Sequence, residues 1–329
     1  MPLRKHFTEL ALGFCSTYVL VLHPRHISEI DGNPEHAAIA QNCHIYLIVR
    51  RPRLTYVPGS IVMGEEKTTG RFVYVTGGTR REAEFFLLGK PNVDELRISP
   101  YPHQKLWLVK DGEEVTSVPA HLMSLMCDGV SDTSIRDLEV SYVGMSYGDG
   151  SRSAKDRLTN HSTLQQVLAD LNGEFSDDEA LIIMAQFAPP QTFISFDGTD
   201  KSLKLEDDRN VMADLRLQEE LVTEDLQIAL IEAGLIRYFQ PPYNDKYKRR
   251  FPHPRQKILD AAYKIDFSGL TVEINTEDVN CRLYSVARPR GYHHIAAYDL
   301  HDPTVRRSFF NAMNLAYGSD AEDHSGPTY

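Results

Sequence analysis

The stretch EVSYVGMSYGDGSRSAKDRLTN, Glu139 to Asn160, closed by His161, decides how the rest of the chain is read. Val140 to Gly144 has the composition of a short strand. Gly148 and Gly150 mark a loop where backbone can approach a ligand closely. A helix is expected from Ser151 or Ser153 to about His161. Arg157 and His161 stand four apart on it and share a face. A guanidinium fork suits a phosphate, and an imidazole moves protons near neutral pH. Each feature also has a plainer reading: a core tyrosine, an ordinary turn, a solvated helix face beside Lys155 and Asp156.

Working outward, Glu232 is the partner of this stretch. Ile228, Ala229, Leu235 and Ile236 surround it at helical spacing. The helix is expected to run from about Val211 or Thr223 to Phe239 and to stop at Pro241-Pro242. A carboxylate on an apolar face needs an arginine, a proton, a metal or an escape to the helix edge. Asn244, just past the double proline, alone reads as a turn residue. A basic tract follows, with Lys246, Lys248, Arg249, Arg250, Arg255 and Lys257. It reads either as a nucleic-acid contact or as a solvated connector.

Taken in order, Tyr142-Val143-Gly144, Arg157 with His161, Glu232 with Leu235-Ile236, and Pro241-Pro242-Tyr243-Asn244 resemble the signature of the GIY-YIG nucleases. The resemblance covers about residues 131–250. It implies an α+β fold, a small mixed sheet flanked by helices. It also implies a metal-dependent endonuclease acting on phosphodiester bonds, in DNA before RNA. Glu232 would hold Mg2+ or Mn2+, and Arg157 would face the phosphate. Tyr142 or His161 would activate the water, and Asn244 would orient Glu232 or the loop. Lys155, Lys246, Lys248, Arg249 and Arg250 would line the nucleic-acid backbone. Residues 127–138 hold no tyrosine to match the family's first-strand tyrosine. That role falls to Tyr142, to His161 or to a residue of the N-terminal block. Otherwise the domain binds nucleic acid without cleaving it, or serves as the recognition subunit of a multi-component system.

Residues 1–130 read as a β-rich region. A strand is expected over Phe14–Leu22 and a short helix over Glu35–Ala40. Further strands are expected over His44–Arg50, Gly59–Met63, Arg71–Thr76, Ala83–Leu88, Glu95–Ser99 and Lys105–Lys110, with a hairpin at Asp111-Gly112. Ala120–Cys127 reads as a short helix. Past His161, Ser162 and Thr163 have capping spacing to Gln165 and Gln166, so a new helix starts there. Strands follow at Ala180–Phe187 and Thr192–Phe196, then an insertion around 197–222. Residues 251–317 read as an α/β extension. Its strands are Thr271–Asn275, Cys281–Ala287 and Ile295–Leu300, and its helices Gln256–Ile265 and Val305–Leu315. Residues 318–329 read as a disordered tail.

The chain has 329 residues and a formal net charge of −11, which opposes non-specific coating of nucleic acid but leaves room for a local basic cleft. Cys15, Cys43, Cys127 and Cys281 form no C-x-x-C pair; a reducing cytoplasm is expected and structural zinc is not. His293-His294 has no second ligand pair at metal spacing. No apolar run reaches the roughly 20 residues that span a membrane, and the N-terminus is not read as a signal peptide. Nucleic acid is the expected partner, and a homodimer or a protein partner stays open.

Overall fold

The computed structural model describes residues 8–146, 162–196, 222–247 and 268–300. The chain opens with the long strand β1 (Thr8–Leu22) and a 3-10 segment, Pro24–Gly32. Helix α1 (Pro34–Gln41) starts on a proline, and the Asn33 side chain accepts from the backbone N–H groups of Glu35 and His36. These are the ordinary means of starting a helix. Strand β2 (Ile45–Pro52) follows.

Then comes a separate β unit. It contains β3 (Thr55–Tyr56), β4 (Lys67–Thr76), β5 (Thr79–Leu88), β6 (Glu95–Ile98), β7 (Lys105–Lys110), β8 (Glu113–Pro119), α2 (Ala120–Met126) and β9 (Gly129–Val130). Its strands form two small antiparallel sheets, β3-β4-β5-β9 and β6-β7-β8. Tyr56, Phe72, Phe85, Leu106, Met123 and Ile135 belong to its own core. Asp111-Gly112, both at positive φ, turns β7 into β8 as the sequence suggested. Gly59–Met63 is not a strand. Gly59 takes a φ of +71° in a turn, and only Val62 bridges to Thr69.

The chain returns through β10 (Asp137–Met145), α3 (Ser162–Gly173), β11 (Asp178–Phe187) and β12 (Gln191–Phe196). It ends, among the described residues, with α4 (Glu224–Phe239), α5 (Pro242–Tyr247), β13 (Gly269–Asn275), β14 (Arg282–Ser285), β15 (Arg288–Gly291) and β16 (His293–Asp299). The stretch expected as one strand over Cys281–Ala287 is a β14–β15 hairpin, with Val286 fully exposed at its tip.

The fold is therefore a mixture of helix and strand around one large sheet. Its order is β15-β14-β10-β2-β11-β1-β13-β16, with β12 also on β1. β11 and β12 lie one after the other along the same edge of β1. Pro189-Pro190 separates them, because proline cannot donate to the ladder. The stretches expected as an N-terminal region, a nuclease-like domain and a C-terminal extension all send strands into this sheet. β2 in particular pairs with β10 and β11, not with the β unit that follows it in sequence.

Both faces of the sheet are covered, which is why β2 and β11 read as continuous apolar runs. Ile45, Leu47 and Val49 of β2, with Leu181 and Ile183 of β11, face α4 in the first core. Tyr46 and Ile48, with Ala180, Ile182 and Met184, face α1, α3, Tyr243 and the 3-10 segment in the second. The expected helices at 256–265 and 305–315, the insertion at 197–222 and the tail lie outside the described residues. No helix among the described residues is long and apolar enough to cross a membrane. All four cysteines are free thiols.

Candidate functional site

β10 carries the first half of the site. Its register against β2 shifts between Val140 and Tyr142, so Ser141 is an extra, buried residue. Such a bulge re-aims the side chains that follow it. Val140 and Val143 both face the first core, while Tyr142 turns into the second. There it meets Tyr46, its ring centroid 6.1 Å away. Gly144 lies directly opposite Tyr46 in the ladder. A Cβ on Gly144 would stand 2.5 Å from both Cζ and Oη of Tyr46, and 2.6 Å from Cε1 of Tyr142. The glycine is there because the two tyrosines occupy the space above it.

Asn244 closes the open edge of β10. β14 pairs with β10 only over Asp137–Glu139. Beyond that, the Asn244 side chain replaces a neighbouring strand. Its Oδ1 accepts from the Val143 N–H at 2.8 Å, and its Nδ2 donates to the Val143 carbonyl at 2.8 Å. The preceding residue, Tyr243, donates its hydroxyl to Asp170 Oδ2 at 2.7 Å and so ties α5 to α3. Burial, and then the Asp170 carboxylate, push the Tyr243 phenol above its ordinary pKa.

Gln240 ends α4 in the left-handed region, at a φ of +48°, and α5 then packs against β10. Glu232 lies in α4, 3% exposed. Its carboxylate does not stand unpaired. α4 packs on β10, β13, β16 and β2, so Glu232 comes from the helix over the first core while the tyrosines lie in the second. Where β2 begins, the His44 Nδ1–H donates to the Ser146 carbonyl at 2.8 Å, and Ser146 N–H donates back to the His44 carbonyl. His44 Nε2 stands 4.0 Å from Glu224 Oε1.

Tyr142 and Asn244, far apart in the chain, are thus joined through Val143. Lys246 lies in α5. Lys155, Arg157, His161, Lys248, Arg249 and Arg250 lie outside the described residues. Among the described residues no three His, Cys, Asp or Glu side chains form a group that could hold a metal ion. His293 and His294 are engaged elsewhere. His293 Nε2 meets Glu273 at 2.8 Å, and His294 Nε2 faces the carbonyls of Leu283 and Gly291.

No protein-family model, curated protein or solved structure matches the chain.

Tyr46 is the residue that sequence reasoning passed over. The resemblance places a first-strand tyrosine just before Tyr142, whereas the tyrosine beside Tyr142 comes from β2, across the whole inserted β unit. The available signal was the run His44-Ile45-Tyr46 at the start of an apolar strand. Only pairing shows that this strand is the neighbour of Tyr142-Val143-Gly144.

Proposed function

We propose that the chain is a metal-dependent endonuclease that hydrolyses phosphodiester bonds, with DNA the expected substrate. The observation that carries this reading is the pairing of β2 with β10, which sets Tyr46 and Tyr142 side by side over Gly144. Together with Arg157, His161, Glu232 and Asn244 in their chain order, it supports a GIY-YIG-like site whose first strand is β2.

Glu232 is the residue that would hold the cation. Mg2+ commonly takes one or two carboxylates and keeps several waters; Glu232 is buried and already partnered, so it would have to exchange that partner for the cation. The bound cation would supply charge to stabilise the phosphate oxygens. Arg157 would pair with the same phosphate through its fork. His161 would take the proton of the attacking water, since its ordinary pKa is near neutral. Tyr46 and Tyr142 lie on the face of the sheet opposite α4, so they are assigned to holding β2 and β10 together over Gly144 and not to the water at Glu232. Asn244 holds β10 in register. Lys155, Lys246, Lys248, Arg249 and Arg250 would contact neighbouring backbone phosphates.

The test is cleavage of plasmid and single-stranded DNA with Mg2+ or Mn2+, wild type against Glu232→Gln. Glu232→Gln is expected to lower the rate by about 100-fold or more; equal rates would sink the assignment. The full burial of Tyr46 favours a second reading, a fold that kept nucleic-acid binding and lost turnover. Salt-sensitive binding with no cleavage under any divalent cation would decide for it.

A further inference from the structure

A second cluster of polar side chains lies away from the tyrosine pair. A small cleft, open to solvent, lies between the 3-10 segment and the inserted β unit. Arg25, His26, Gln104, Lys105, His121 and Glu179 line it. His121 is 5% exposed, and its Nε2 is the one buried side-chain polar atom without a hydrogen-bond partner among the described residues. Buried polar groups are almost always satisfied, so an orphan in a cleft wall points to something that binds there.

The surrounding groups say what kind of thing. His23, His26 and His121 bring three rings together, with centroids 5.4 to 6.3 Å apart. His23 Nδ1 accepts from the backbone N–H and from Nε of Arg25, so its ring is neutral and its remaining proton sits on Nε2. The two carboxylates of the neighbourhood are already engaged. Glu29 meets His26 Nδ1 at 2.7 Å, and Glu179 accepts from Arg51 Nε at 3.0 Å. Arg25 and Lys105 form no ion pair among the described residues; besides His23, the Arg25 guanidinium donates to Gln104 Oε1, at 3.4 Å. Burial and then the nearby cations hold His121 down to about 2 and His23 to about 4. Arg25 acts on both rings, with Arg51 on His121 and Arg53 on His23, while Glu29 faces His26, Arg25 and Lys105 from the rim; cations outnumber carboxylates here. A metal cation would be repelled by that field. An anion would neutralise it.

We propose that this cleft is an oxyanion site that takes a phosphate group, with the Arg25 guanidinium, the Lys105 ammonium and His121 Nε2–H as its donors. A fork, a point charge and a ring N–H from three separate elements match several oxygens around a tetrahedral centre better than the two of a carboxylate. The phosphate belongs either to a free phosphate-bearing ligand or to a nucleic-acid backbone.

None of the cleft residues belongs to the candidate nuclease site, so the site stands apart from that reading. Glu232→Gln is expected to leave it intact. The test is titration of the full chain with inorganic phosphate, then with a short single-stranded oligodeoxynucleotide. Binding is followed by calorimetry and by the ring ¹H–¹⁵N resonances of the histidines. Phosphate is expected to move the His121 and His23 resonances where chloride at equal ionic strength does not. Arg25→Gln and Lys105→Gln are each expected to weaken binding about tenfold. Arg25 is exposed, so its variant tests the site without threatening the fold; His121→Gln is read only alongside its melting curve. Phosphate bound without the oligonucleotide identifies a free ligand. An oligonucleotide that displaces phosphate and is weakened by Arg25→Gln identifies a backbone contact. Unmoved ring resonances with both probes, or unchanged affinity in both charge variants, would overturn the proposal.

Discussion

Gly144 shows how much one residue can settle. A methyl group there meets two aromatic rings at once, and neither is the tip of a flexible chain. Gly144→Ala is expected to cost roughly 1–3 kcal/mol through overpacking, read as a lower melting temperature. Tyr46→Phe should not rescue it, because the ring carbon Cζ is as close as the hydroxyl. A melting temperature equal to wild type would show that the tyrosines are not held over the glycine. His23 and His121 carry a second expectation. Both are kept neutral in the fold while the unfolded chain protonates near pH 6.5. The unfolded state therefore binds more protons below that pH, and stability falls as pH drops. It is complete above about 6.5 and lost progressively as pH falls, toward about 4 for His23 and about 2 for His121, the part-exposed His23 contributing roughly 1–3 kcal/mol after screening and the buried His121 more. His121→Gln should flatten this part of the stability–pH curve; an unchanged slope counts against it. The sequence showed Gly144 as the end of a short strand; the two tyrosine rings above it were not legible, because Tyr46 comes from a distant strand.

At the scale of elements, Asn244 does the work of a missing strand. Asn244→Ala leaves a backbone N–H and a carbonyl of β10 without partners, which costs about 1–3 kcal/mol. Asn244→Asp keeps the acceptor but sets a carboxylate oxygen against the Val143 carbonyl. It should be at least as destabilising, and the amide exchange of Val143 should quicken in both. A protected Val143 amide in Asn244→Ala would mean that another group closes this edge. Most elements were legible. β1, β2, β11 and β13 announce themselves as apolar β-branched runs, and α4 by its spacing and by the Pro241-Pro242 stop. The bulge at Ser141 was not legible. Nothing in Val-Ser-Tyr-Val marks an extra residue, yet it decides which core receives Tyr142.

At the scale of the molecule, Arg51 ties the inserted β unit to the main sheet. From β2 it donates to Glu179 on β11, to Ser124 Oγ at 3.0 Å, and to the carbonyls of Ile135 at 2.7 Å and His121 at 3.1 Å. It has no exposed surface worth counting. Removing one partner of a buried pair leaves the other charge stranded, so Arg51→Ala should cost about 3–5 kcal/mol. The loss should appear first as faster limited proteolysis within the inserted unit, residues 53–136. Arg51→Lys should not restore it, since one ammonium cannot reproduce a guanidinium's spread of donors. Proteolysis at the wild-type rate in Arg51→Ala would refute the tie.

By itself the sequence determined the local alphabet: where apolar runs make strands, where spacing makes α4, where proline and glycine end them. It also carried the order of Tyr142, Glu232 and Asn244. Tertiary structure alone decided that β2 and β10 are neighbours despite the unit inserted between them. It decided that Tyr46 stands beside Tyr142, and that Asn244 finishes an edge strand. The reason is physical. Strand and helix propensities act over a few residues, whereas strand pairing is chosen by which faces can be buried together and which backbone groups remain to be satisfied.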